Sequence, residues 1–291
     1  MFIPGICASK RFKKYFDYIN NNNNMTNEQN SGAEPVKNES QNPAVVSALK
    51  LPMSPLSELF KLSWEVYTKN IKRLIGVMLV PFAGVIGLII VLSLYAGISF
   101  FSQSISEPMM MVSRFVLTLL GLVVVIAFIY ISIIAQAGLY IMIRDRAENL
   151  TIKESFLRAK KIAWKYFSLG VIVSLFVFLW CLLFVIPGIY MMVAYCVATW
   201  VFICEGISGT AAIKRSKELV KGYWWAVASR LVLVYLVVYA VVIILGQVLE
   251  NISRIFSVVA VQAISFAFAP FFFVYIYFIY LDLVRVKKNA N

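Results

Sequence analysis

The chain has 291 residues, of which 61% are hydrophobic and only 14% are charged, and its formal net charge is +13. A soluble domain averages roughly 45–50% apolar and about 25% charged residues, so this composition excludes an ordinary soluble globular protein. Long apolar runs instead predict an all-α, polytopic membrane protein with six transmembrane helices and three cytoplasmic interfacial amphipathic helices.

The first 50 residues differ in kind from the rest. They are polar, and residues 20–24 are an unbroken asparagine run. Such a segment buries too little apolar surface to offset the entropy of ordering, so we predict a disordered cytoplasmic tail over residues 1–50. Two interpretations stay open for the basic and aromatic stretch 10–16. Either it touches an anionic membrane surface, or Met25 is the true start.

Residues 51–288 are predicted to form one membrane domain built of three units. Each unit is an amphipathic helix followed by two spans. Because two spans return the chain to the side that it left, the units are parallel repeats and not inverted ones. The predicted units are 55–143, 151–204 and 210–281.

Apolar and charged residues separate at helical spacing in three stretches, which predicts the three amphipathic helices. These helices are predicted over 55–72, from Thr151 to about residue 167, and over 210–225. Ser54 is the predicted N-cap of the first helix, with Pro55 at its first position. Thr151 and Glu154 form a predicted capping box for the second.

Six apolar runs follow these helices in pairs. The predicted spans are 74–101, 115–143, 168–186, 189–204, 226–249 and 255–281. The third and fourth spans are predicted to meet in a turn at Pro187-Gly188, because proline and glycine interrupt helices.

The distribution of charge predicts the orientation. The short loops 102–113 and 250–254, together with Arg114 and Arg254, carry two basic and two acidic residues. The other face holds 25 of the 27 basic residues and 12 of the 14 acidic ones. Such an imbalance predicts that this face is cytoplasmic, with both termini inside, in a multi-pass protein of the inner (plasma) membrane. Contact with anionic headgroups accounts for the basic face without a nucleic-acid partner.

Residue types and motifs that carry out catalysis or bind metals are scarce in this sequence. The chain has no histidine, and Cys7, Cys181, Cys196 and Cys204 do not have the spacing of metal ligands. Neither a phosphate-binding loop nor a nucleophile-elbow motif is present. We therefore predict a non-enzymatic protein with no catalytic, cofactor-binding or metal site.

Three sets of polar residues are the candidate functional residues. Gln136 lies deep in the second span, where an amide more often joins spans by hydrogen bonding than binds a substrate. Glu205 is predicted either to pair with Arg215 or Lys214 and hold the third amphipathic helix in place, or to be an exposed interfacial carboxylate. The candidate contacts for a lipid or a partner are Lys161, Lys165, Lys214, Arg215, Lys217 and Lys221.

One region of the chain resembles a known family. The segments concerned are Ile186-Pro187-Gly188-Ile189-Tyr190, Glu205-Gly206, Ala211-Ala212-Ile213-Lys214-Arg215-Ser216-Lys217-Glu218-Leu219-Val220-Lys221-Gly222 and Trp224-Trp225. They resemble the bacterial membrane domain family named after glycerophosphoryl diester phosphodiesterase, and related uncharacterised six-span families. The resemblance covers roughly residues 55–285 and implies a membrane module linked to envelope lipids. It does not imply phosphodiesterase activity, because the fused catalytic barrel would need about 250 further residues.

Two functions are compatible with this sequence. The first is a membrane scaffold or accessory protein whose basic cytoplasmic face engages anionic lipid or another membrane protein. The alternative is a transporter or lipid-translocating protein that works through the six-helix bundle. A transporter predicts a polar cavity lined from several spans, whereas a scaffold predicts a closed apolar core.

Overall fold

A computed structural model describes residues 53–100, 107–251 and 253–289 of the protein. The predicted tail 1–50 lies outside these residues. All regular structure in the described part is helical, and a short 3₁₀ turn, Arg146–Glu148, follows the third helix. The α-helices are α1 (Leu56–Leu79), α2 (Phe82–Phe100), α3 (Glu107–Arg144), α4 (Ile152–Leu183), α5 (Val185–Tyr195), α6 (Ala198–Glu205), α7 (Thr210–Val220), α8 (Trp224–Glu250) and α9 (Arg254–Asn289).

Six helical stretches in the described residues are long and apolar enough to cross a membrane. They run over Leu56–Ile98, Pro108–Arg144, Ile152–Leu183, Val185–Glu205, Trp224–Glu250 and Arg254–Lys288. This confirms the all-helical class and the six apolar helices, and it indicates a multi-pass membrane protein. Helix α3 begins at Glu107 and not at the predicted residue 115, so it takes up part of the predicted loop 102–113.

The starts of α1 and α4 show how local sequence sets a helix boundary. At α4 the capping box is confirmed, since Thr151 Oγ1 accepts from the Glu154 N–H at 3.3 Å and Glu154 Oε2 accepts from the Thr151 N–H at 2.8 Å. At α1 the predicted cap is wrong. Pro55 is the N-cap residue and no side chain caps the helix. The Ser54 hydroxyl instead donates to Asp282 Oδ1 at 3.0 Å.

The predicted amphipathic segments do not stand as three separate helices. The first continues without a break to Leu79, and the second is the start of the long helix α4. Only the third, α7, is a short helix of its own. Their buried residues are Leu59, Ser63, Tyr67, Leu74 and Val77 in α1, Ser155, Ala159 and Ala163 in α4, and Ala212, Ile213, Ser216, Leu219 and Val220 in α7.

These apolar faces were expected against the membrane interface, but they pack against other helices of the same chain. Helix α1 lies along α9 and α3, and α7 packs on α5 and α6. Periodicity identifies an apolar face, but it does not say whether lipid or protein covers that face, because both coverings are apolar.

The third and fourth predicted spans form the hairpin α4–α5. Helix α4 ends at Leu183, Phe184 is extended with φ −156° and ψ 140°, and α5 begins at the next residue. The chain therefore turns at Phe184 and not at the predicted Pro187-Gly188. Pro187 falls within the first turn of α5, where backbone N–H groups lack intrahelical partners and a proline costs little. Gly188 allows the close approach, because a Cβ there would lie 2.9 Å from Cys181 Cα.

Candidate functional site

Most of the ion pairs and much of the buried core of the described residues lie at one end of the molecule. We call it the charged end, and it comprises residues 53–63, 144–161 and 203–223, the first two turns of α8, and α9 from Tyr277 onward. Trp200 beside it and Phe278 within it are each about 1% exposed. The apolar parts of the spans are much less covered: an apolar window of 18 residues is 61% buried in Val185–Glu205, but only 6–17% buried in the other five stretches.

The first cluster of the charged end joins the residue before the N-cap of α1 to α9. The Asp282 carboxylate is fully buried and accepts from the Ser54 N–H at 2.9 Å and the Ser54 hydroxyl at 3.0 Å. It also lies 2.7 Å from Arg285 Nη2. Arg230 of α8 donates to the Ser54 carbonyl at 2.7 Å. Three separate segments therefore meet at one buried carboxylate.

The second cluster joins α3, the loop after it and α4. Asp145 is 4% exposed and receives both Arg144 Nη2 at 2.8 Å and Arg158 Nη1 at 3.0 Å. Arg158 also contacts Glu148 at 2.9 Å. Arg144 continues the network by donating to the Ile203 carbonyl of α6 at 2.8 Å. This cluster fixes α6 against the end of α3.

The third cluster contains the predicted partners Glu205 and Arg215. Arg215 Nε lies 3.2 Å from Glu205 Oε2, and the Tyr280 hydroxyl donates to Glu205 Oε1 at 3.0 Å. Glu205 therefore ties α7 to both α6 and α9, which is the geometry of the predicted structural pairing. Ser216 adds a second tie, because its hydroxyl donates to the Ala194 carbonyl at 2.8 Å.

The Tyr223 ring lies between the end of α7 and the end of α9. Lys287 Nζ is 5.8 Å from the centre of that ring, within the range of a cation–π contact. Burial raises the pKa of the Tyr223 phenol, and the Asp282 carboxylate raises it further. The phenol therefore stays neutral at physiological pH, and the Tyr223 ring is the aromatic partner of Lys287 in the cation–π contact.

The predicted basic contacts divide into two groups. Lys161 and Lys165 on α4 and Lys214, Lys217 and Lys221 on or after α7 are exposed. Arg215 differs, because it is half-buried and engaged with Glu205, and it also lies 4.0 Å from Glu218. The lysine side chains therefore lie at the protein surface, whereas Arg215 is engaged within the protein.

Gln136 lies in a groove between α3 and α4. The groove has a volume of about 650 Å³ and is lined mainly by apolar side chains, among them Ile133, Phe167, Val171, Leu175 and Phe178. Volumes of roughly 300–1,000 Å³ with a few polar groups are usual for small-molecule sites. Four polar residues line this one: Gln136, Tyr166, Ser174 and Thr199.

Within the groove, the Tyr166 hydroxyl donates to Gln136 Oε1 at 3.2 Å. Gln136 thus joins helices α3 and α4 by a hydrogen bond. Sequence reasoning missed Tyr166, Ser174 and Thr199 as neighbours of this amide. Tyr166 falls within the predicted second amphipathic helix, whose pattern does not indicate a partner for its hydroxyl, and no pattern in one sequence brings residue 199 next to residue 136.

No group of three or more histidine, cysteine, aspartate or glutamate side chains within the described residues is arranged to hold a metal ion. Comparison of the chain with known protein families, with curated proteins and with solved structures gives no match. The charged end and the groove are therefore the candidate functional regions of the described residues.

Proposed function

We propose that the protein is a non-enzymatic membrane scaffold or accessory protein that binds anionic lipid headgroups through the lysines of α7. One observation carries the proposal: α7 buries its whole apolar face in the protein while its lysines point outward. Ala212 and Leu219 are 0% exposed, whereas Lys214, Lys217 and Lys221 are all exposed. A helix held in this way presents a fixed row of cations.

The residues at the start of α8 support a lipid partner. Trp224 and Trp225 open α8, three residues after the end of α7, and Trp225 is 80% exposed. Exposed tryptophans at the start of an apolar helix are typical of the level of the lipid headgroups. The lysines one to three turns earlier would then lie beside those headgroups, on the face that the charge imbalance predicts to be cytoplasmic.

The ion pair between Glu205 and Arg215 has a supporting role in this proposal. It fixes α7 against α6, so the lysine row keeps its orientation without help from the lipid. Resemblance to the membrane domain family named after glycerophosphoryl diester phosphodiesterase agrees with a module linked to envelope lipids. The resemblance remains part of the proposal.

The experiment compares lipids co-purified in native nanodiscs with those of the bulk membrane. The variant replaces Lys214, Lys217 and Lys221 by Gln, and a matched control replaces Lys61, Lys69 and Lys72 of α1, which are also exposed. At about 1 kcal/mol per lysine, loss of the row should weaken anionic lipid binding by up to about 100-fold. The control should retain the enrichment. A wild-type lipid profile equal to that of the bulk membrane would refute the proposal.

A second candidate function is lipid translocation, and the groove at Gln136 favours it. Polar groups on three helices line part of this groove, which supports this candidate, while the rest of the lining is apolar. Replacing Gln136 by Leu should slow translocation of a fluorescent phospholipid in proteoliposomes. Gln262→Leu, an exposed glutamine of α9 outside the groove, is the control. If the wild-type protein moves lipid no faster than protein-free vesicles, this candidate fails.

A further inference from the structure

The tip of the α4–α5 hairpin lies close to the beginning of α8. Trp224, the first residue of α8, donates its indole N–H to the Tyr190 carbonyl at 3.0 Å. The two rings also stack, with their centres 5.3 Å apart. Tyr190 is only six positions beyond Phe184, the residue at which the hairpin turns.

This contact limits how far the tip can extend along α8. Six residues of helix span about 9 Å, and the hydrogen bond holds the two Cα atoms within about 11 Å of each other. Phe184 therefore lies within about 20 Å of Trp224. Helix α8 has 27 residues and is about 40 Å long. The tip of α4–α5 thus falls at least ~20 Å short of the far end of α8.

Charged groups show where the membrane begins on this side. Lys287 lies over Tyr223, and Lys221 is exposed just before it. Cations of this kind lie at the headgroups, so Trp224 is at or outside the edge of the hydrocarbon layer. That layer is about 30 Å thick. A tip within about 20 Å of Trp224 does not reach its other side.

The exposure of α5 and α6 agrees with this limit. Exposed apolar side chains occur only in the first part of this stretch, at Val185, Ile186, Ile189, Tyr190 and Met192. Nearly every residue from Val193 to Ile203 is buried in the protein. The lipid-facing part of this stretch is therefore about 12 Å long. The remainder is covered by protein, so the exposed part is much shorter than the hydrocarbon layer of about 30 Å.

We infer that α4–α5 is a re-entrant hairpin whose tip inserts into the leaflet on the side of the charged end, and that only α2, α3, α8 and α9 cross the membrane. The occupant of its surface is the acyl-chain layer of that one leaflet. The tip is apolar and free of charge, with Leu182 72% exposed, Phe184 68% and Ile186 82%. In water such a surface would be unfavourable, whereas the adjacent leaflet covers it.

The topology is tested with single cysteines in a variant whose four native cysteines are replaced. Ile186→Cys marks the tip, Leu182→Cys is a second position on it, Ser253→Cys marks the loop after α8, and Lys160→Cys marks the charged end. Sealed vesicles of each orientation are treated with a membrane-impermeant maleimide. We expect Ser253→Cys and Lys160→Cys to react from opposite sides and both tip positions to react from neither. Reaction of the tip from the Ser253 side would overturn the inference.

A depth measurement covers the remaining outcomes. A fluorophore is attached at Ile186→Cys or Leu182→Cys, and a spin-labelled lipid is exchanged into one leaflet only. Quenching should be strong when the leaflet next to Lys160 carries the spin label, and weak when the opposite leaflet carries it. The reverse order would show that the hairpin crosses. Absence of quenching from both leaflets would show that the tip is in water, and either result contradicts the inference.

Discussion

Replacing Asp282 by Asn tests whether the charged end holds the helices together. Asp282 is fully buried, and three donors converge on it: the Ser54 N–H, the Ser54 hydroxyl and Arg285. An asparagine has nearly the same shape, but one of its two terminal groups is an NH₂ donor. At least one of the three donors would then face another donor instead of an acceptor.

The magnitude follows from the burial of both charges. The side chain of Arg285 is 9% exposed, so the substitution leaves an arginine charge buried without its carboxylate. Removing one partner of a buried pair costs about 3–5 kcal/mol. For a chain of this size, each kcal/mol corresponds to a change of about 2–4 °C in melting temperature, so we expect a loss of about 6–20 °C.

The assay is thermal unfolding of the purified protein in detergent, followed by size-exclusion chromatography of the folded fraction. Glu218→Gln is the matched control, because the Glu218 side chain is 54% exposed and lies 4.0 Å from its arginine. A surface pair of this kind contributes about 0–1 kcal/mol. The double variant Asp282→Asn with Arg285→Gln should recover part of the loss. If Asp282→Asn and Glu218→Gln melt at the same temperature, the reasoning about the charged end is refuted.

Two further predictions concern packing. Gly188→Ala should lower stability by about 1–3 kcal/mol through overpacking, since its Cβ would lie 2.9 Å from Cys181 Cα. Gly170→Ala is the control, because a Cβ there meets nothing within 4 Å. Equal melting temperatures for the two variants would contradict the close packing of the hairpin. Trp200→Ala should cost about 3–5 kcal/mol in the same assay, because Trp200 is 1% exposed. Trp225→Ala, at an 80% exposed position, should change stability little. A loss as large as that of Trp200→Ala would contradict the assignment of Trp200 to the core and Trp225 to the surface.

The apolar helices could be predicted because their signal is local. Apolar runs such as Leu122 to Ile131 leave the backbone no alternative to helix in an apolar medium. The capping box at Thr151 and Glu154 is equally local, because both partners lie within one turn. A single sequence carries such short-range information in full.

What could not be predicted depends on contacts between distant residues. Ser54 has the composition and position of an N-cap, yet it is bonded to Asp282, 228 positions away. Tyr166 lies at an apolar helical position, yet its hydroxyl meets Gln136 across two helices. A local pattern indicates a role that suits the residue type, but the tertiary arrangement decides which of several possible hydrogen-bond partners is within reach.

The uneven distribution of burial has a consequence for where this protein derives its stability. Between spans in lipid there is no hydrophobic gain from association, because acyl chains are as apolar as the side chains they replace. The sparsely buried span halves therefore contribute little by contacting each other. The charged end differs, since Asp145, Glu205 and Asp282 each tie together elements from separate parts of the chain. With its ion pairs concentrated at the charged end, the protein leaves the groove at Gln136 and the apolar side chains of the α4–α5 tip exposed.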